Sequence, residues 1–153
     1  MKDQSKDQSK VRSEELINAF SCRILAIIVI GSTEMMIKHW LDKLTLFPFK
    51  DYFKDRTRND KKLELLLKGF RYFKLPFDQN IVKDYFAVKI VRNAIIHSEL
   101  KDRDRKILKG RGFPIDITKL NSEHWNKMQE IYFKMMQYIA LIGIKHGINY
   151  ENE

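Results

Sequence analysis

The chain has 153 residues, 44% hydrophobic and 12% aromatic, with three prolines, six glycines and one cysteine. This excludes collagen-like, low-complexity and largely disordered classes and fits one domain around a single core. Lys and Arg outnumber Asp and Glu by 29 to 20, a net charge of +9 that favours an anionic partner, nucleic acid first, although a membrane surface or an acidic protein satisfies the same electrostatics.

Residues 1–12 contain Lys-Asp-Gln-Ser twice, have almost nothing to bury and predict a flexible polar tail without the apolar stretch of a signal peptide. Ser13 before Glu14 and Glu15 reads as an N-cap with acids in the first turn. Leu16, Ile17, Phe20, Ile24, Ile27, Ile28, Met35, Met36, Trp40, Leu41 and Leu44 then recur at three- and four-residue spacing, predicting a helix over 13–44. Its middle is apolar nearly all round, which predicts cover on more than one side. The longest apolar run, Ile24 to Ile30, is far short of the ~20 residues of a spanning helix. No membrane partner is expected, and the lone Cys22, which excludes a disulfide framework, fits a reducing, cytoplasmic setting.

Phe47-Pro48-Phe49 ends that helix, because proline cannot continue the ladder. Asn59 and Asp60 can cap a second, with Leu63, Leu65, Leu66, Leu67 and Phe70, ending before Leu75-Pro76. Asp78 or Asn80 starts a third, whose apolar positions run from Ile81 through Val91 to Ile95 and which ends near Glu99. From Leu100 to Lys119 there is no helical period, only a basic connector with Lys101, Arg103, Arg105, Lys106, Lys109, Arg111 and Lys119 against three aspartates. Asn121 or Ser122 caps a last helix through Ile142, with Lys145, His146 and Gly147 as its basic, glycine-stopped end. The expectation is an all-α protein: an up-and-down four-helix bundle in one domain over 13–147, with a short polar tail at 148–153.

Several chemistries are missing from this sequence. There is no three-glycine dinucleotide loop, no Gly-Lys-Ser/Thr phosphate loop and no Gly-x-Ser-x-Gly elbow. His39, His124 and His146 lack a second histidine or a paired carboxylate at ligand spacing, so no metal is expected. No helix-turn-helix spacing with a glycine turn is found.

One segment, Arg92-Asn93-Ala94-Ile95-Ile96-His97, puts three polar groups into an apolar run late in the third helix. Asn93 and His97 are four apart and share a face, whereas Arg92 and His97 stand about 140° apart around the axis and roughly 7.5 Å along it. Either the long arginine arm curls toward that face, or a second copy across a two-fold axis brings an Arg and a His into one cleft. Arginine with histidine suits phosphodiester cleavage of RNA, which supplies its own 2′-OH nucleophile: the imidazole moves a proton and the guanidinium holds the phosphate. The plain structural alternative is an Arg92 ion pair with Glu99 or an aspartate and a His97 that merely ends the helix.

This stretch resembles the Arg-x4-6-His motif of the HEPN superfamily, in the form Arg-Asn-x-x-x-His late in a helix of a small all-α domain. The resemblance implies a homodimer acting as a metal-independent, cofactor-free endoribonuclease that leaves a 2′,3′-cyclic phosphate and a 5′-hydroxyl. On it, His97 is the proton-transfer residue, Arg92 the phosphate and transition-state stabiliser, and Asn93 an orienting group. It further implies a toxin or antiviral-defence role, with an antitoxin or regulatory protein as partner. In some such systems a nucleotidyltransferase modifies a tyrosine two places after the histidine, a place held here by Glu99. Other members are non-catalytic RNA- or nucleotide-binding modules. The connector cations Lys101, Arg103, Arg105, Lys106, Lys109 and Arg111 either rim a cleft and bind RNA or form a plain solvated loop alternating with aspartate, and Phe113 either stacks on a base or, as loop aromatics more often do, plugs its own turn.

Overall fold

A computed structural model describes residues 2–44, 51–54 and 57–145, with side chains for 4–40, 51–54 and 57–145. These residues form α-helices α1 (Lys2–Leu44), α2 (Asn59–Tyr72), α3 (Gln79–His97), α4 (Asp102–Gly110) and α5 (Ser122–Lys145), with a 3-10 turn at Ile117–Lys119, and contain no strand. The protein is all-α. Phe47-Pro48-Phe49, the glycine stop after Lys145 and the 148–153 tail lie outside the described residues.

The helices distribute over two compact units, one of residues 1–30 and 87–129, the other of 31–86 and 130–153, and α1, α3 and α5 run through both. In the first, Ala19, Cys22, Ala26 and Val29 of α1 are buried, as are Val88, Val91, Leu108, Phe113, Leu120 and Met128. The Cys22 thiol donates to the Asn121 carbonyl oxygen at 3.2 Å, and burial pushes its pKa up. In the second, Trp40, Tyr52, Leu66, Phe70, Tyr85, Met135 and Ile139 are sealed from solvent. Phe70, Phe77 and Tyr138 meet edge to face, with centroids 5.4 to 6.2 Å apart, and the Tyr138 hydroxyl accepts from the Asp78 N–H at 3.0 Å. Gly143 allows α5 to pass against Trp40: a β-carbon there would stand 2.6 Å from the indole Cζ2.

Helix starts and stops follow local chemistry. Asp78 caps α3, accepting from the Asn80 N–H at 2.8 Å. Asn121 caps α5, accepting from Glu123 and His124 N–H, while His124 Nδ1 accepts from the Asn121 N–H at 3.0 Å, a reciprocal capping box with histidine as its third member. At α2 the cap position belongs to Arg58, not Asn59 or Asp60; no side chain caps it, and the Arg58 guanidinium pairs with Asp60 at 2.8 Å.

Three expectations need correction. The polar 1–12 segment is helical from Lys2, so Ser13 lies inside α1 rather than capping it, its hydroxyl donating to the Ser9 carbonyl at 3.0 Å. The middle of α1 is covered on one side only: Leu16, Ile17, Phe20, Ile24, Ile27 and Ile28 are exposed. The helix therefore tolerates Arg23 within an 18-residue window of mean hydropathy 1.8, and by length and composition alone it is long enough to cross a membrane, although 33% of that window is buried within the protein. Finally, the basic connector contains a fifth helix, α4, which a search for continuous apolar period overlooks because only Ile107 and Leu108 are apolar.

Candidate functional site

The residues singled out by the motif occupy the last two turns of α3, in the unit formed by 1–30 and 87–129. Val88, Ile90, Val91 and Ala94 anchor this stretch through buried side chains, so the polar residues between them sit on a fixed rod. Arg92 and Asn93 are half-buried and His97 is exposed.

His97 is the last residue of the helix. Ser98, at φ +57°, turns left-handed and donates its N–H to the Ala94 carbonyl at 3.0 Å, which is the single-bond αL ending that glycine usually provides. The chain thus leaves α3 immediately behind the imidazole, which faces solvent.

Arg92 has the more unusual surroundings. Its Nε is buried and has no hydrogen-bond partner, and among the described residues no carboxylate pairs with its guanidinium, so the ion pair with Glu99 or an aspartate does not form there. A buried cationic donor without an acceptor costs free energy, and such a group is a standing demand for an anion. Arg92 and His97 are not hydrogen-bonded to each other; the structure brings both to one helix end without joining them.

The six connector cations all lie just beyond this end. Lys101 is the N-cap position of α4, four residues after His97 and therefore within about 14 Å of it along the backbone. Arg103, Arg105, Lys106 and Lys109 lie on α4, where Leu108 is the buried residue and the four cations spread over the exposed sides; Arg111 follows as its C-cap and is half-buried. Asp102 and Asp104 in the first turn and Lys109 in the last complement the helix dipole. The helix ends on Gly112, at φ +77°, with the Phe113 N–H returning to the Leu108 carbonyl at 2.9 Å.

Phe113 is buried and plugs this turn: it stacks on His124, centroids 5.9 Å and planes 27° apart, and Lys127 Nζ lies 4.8 Å from its ring centre while donating to the Arg111 carbonyl. Burial pushes the His124 pKa below its ordinary 6.5.

One residue escaped the reading of the motif. Lys89 is buried three residues before Arg92 and four before Asn93, so the cationic stretch of α3 begins a turn earlier. A lone lysine inside Phe86-Ala87-Val88-Lys89-Ile90-Val91 was its signal in the sequence. Among the described residues no group of three or more His, Cys, Asp or Glu is placed to hold a metal ion. No protein-family model matches the chain, and no curated protein or solved structure is significantly similar to it.

Proposed function

We propose that this protein is a HEPN-type endoribonuclease that cleaves RNA without a metal ion, acting in the cytoplasm as a symmetric homodimer. In this reading its four longer helices form an up-and-down bundle, its biological role is that of a toxin or antiviral-defence component, and an antitoxin or regulatory protein is its natural partner. The observation that carries it is Arg92, a guanidinium with no carboxylate partner among the described residues, five residues before an exposed imidazole at the same helix end.

The chemistry needs nothing beyond these groups and the RNA. His97 takes the proton of a ribose 2′-OH; the oxygen attacks the adjacent phosphorus; the bond to the 5′ oxygen breaks, and that oxygen takes up a proton to leave as a hydroxyl, with a 2′,3′-cyclic phosphate on the other fragment. Arg92 neutralises the charge that develops on the phosphoryl oxygens, from the same chain or from its twin. Asn93, on the His97 face, orients the nucleotide, and Lys101, Arg103, Arg105, Lys106, Lys109 and Arg111 hold the backbone.

The test is incubation of RNA with the protein in EDTA. Wild type is expected to cut and to leave cyclic phosphate ends, with His97→Ala slower by about 10²–10⁴-fold and Arg92→Ala by at least ~10²-fold. Cleavage abolished by chelation, or equal in His97→Ala, overturns the mechanism. RNA bound but left intact by wild type favours a non-catalytic RNA- or nucleotide-binding module instead.

A further inference from the structure

Helix α1 buries one side and leaves the opposite side bare. Ala19, Cys22, Ala26 and Val29 are fully buried, whereas Leu16, Ile17, Phe20, Ile24, Ile27 and Ile28, which fall across the axis from them at 100° per residue, are 44% to 66% exposed. Aliphatic and aromatic side chains concentrated on one helix face to this degree mark a contact surface.

Two features of the stripe select its occupant. Ile17, Phe20, Ile24 and Ile27 are spaced three, four and three, the a/d period by which one helix receives another. The pattern also reads the same in both directions about residue 22, with Leu16 mirrored by Ile28, Ile17 by Ile27 and Phe20 by Ile24. Two antiparallel copies related by a two-fold axis at that level stack Phe20 on Ile24 and Ile17 on Ile27 in successive layers, flanked by Leu16 and Ile28. The six side chains offer on the order of 650 Å² per chain, most of the about 800 Å² that each partner gives to a standard interface.

We propose that α1 is a homodimer interface, with a second copy of this chain lying antiparallel along the Leu16–Ile28 face. Such a contact is isologous and closes at two copies. It is argued from α1 alone and holds whether or not the chain cuts RNA.

Light scattering of the full chain at micromolar concentration is expected to give twice the 18.4 kDa of one chain. Phe20→Lys with Ile24→Lys, two exposed positions, is expected to halve that mass while far-ultraviolet circular dichroism keeps its helical signal. Register is read in a Cys22→Ser background, where the hydroxyl keeps a donor for Asn121. A mixture of Ile17→Cys and Ile27→Cys chains then forms several-fold more disulfide-linked dimer on mild oxidation than either chain alone. Should the double-lysine chain lose helix, the cysteine mixture decides. A monomeric wild type, a double-lysine chain that is helical and still dimeric, or an Ile17→Cys chain that links to itself as readily as the mixture overturns the proposal. A monomeric wild type that sediments with phosphatidylglycerol vesicles overturns it too and gives the face to lipid. Intact dimerisation without RNA cleavage sinks the ribonuclease reading and leaves this one standing.

Discussion

A histidine that accepts a backbone hydrogen bond must be neutral at that nitrogen, and His124 does so in the capping box of α5, with Nδ1 receiving the Asn121 N–H. Burial acts in the same direction, holding its pKa below 6.5. The unfolded chain therefore takes up this proton at a higher pH than the folded one. Stability from this group is complete above that value and declines as the pH falls through it toward the lower folded pKa. His124→Gln keeps an acceptor at the third capping position and has nothing to titrate. Its thermal midpoint is expected to fall less than that of wild type between about pH 7.5 and pH 5.5, and an equal fall in both proteins assigns the pH dependence to other groups. The same scale explains what the sequence concealed about Arg92. Its position in the motif is plain from the residues, but the lack of a neutralising carboxylate depends on side chains brought near by tertiary folding.

Among the described residues, three helices end on a left-handed residue, and of these only α4 uses glycine for it: Lys74 after α2, at φ +53°, and Ser98 after α3, at φ +57°, are strained L-residues. At α2 and α4 the hydrogen bonds are those of the Schellman motif, Leu75 N–H to Phe70 and Phe113 N–H to Leu108. Substitutions at these equivalent positions are thus expected to act with opposite signs in urea unfolding. Lys74→Gly gains up to about 1 kcal/mol, and Gly112→Ala loses about 1 kcal/mol or more; equal signs would show that contacts outweigh backbone conformation. Most of the elements were readable, and what hid the others was a lack of apolar residues. Helices α2, α3 and α5 carry a three-to-four apolar period that marks them to within a few residues, whereas Lys101-Asp102-Arg103-Asp104-Arg105 and the Lys-Asp-Gln-Ser repeats have no face to bury. There the available signals were weaker ones: Asp102 and Asp104 at an N-terminus, Gly112 as a stop, and the i,i+3 pair Asp7 and Lys10.

The net charge of +9 belongs to the whole molecule and sets how RNA affinity responds to salt. Each phosphate neutralised on a single strand contributes about 0.7 to the slope of log affinity against log salt. Replacing the exposed Arg105, Lys106 and Lys109 together by alanine is expected to lower that slope by about two, while His97→Ala leaves it unchanged; a triple variant with the wild-type slope removes α4 from the binding surface. The helices are shared between two units in a way that composition and length do not reveal, since a count near 150 residues fits one core as well as two. The sequence holds two tryptophans, and they fall one to each unit: Trp40, shut against Gly143, and Trp125, near the start of α5. Nature has therefore wired the protein with a separate optical reporter in each half. The blue-shifted emission of a sealed indole turns red when water reaches it, so with Trp125 exchanged for phenylalanine the remaining glow, from Trp40, tracks the melting of its half.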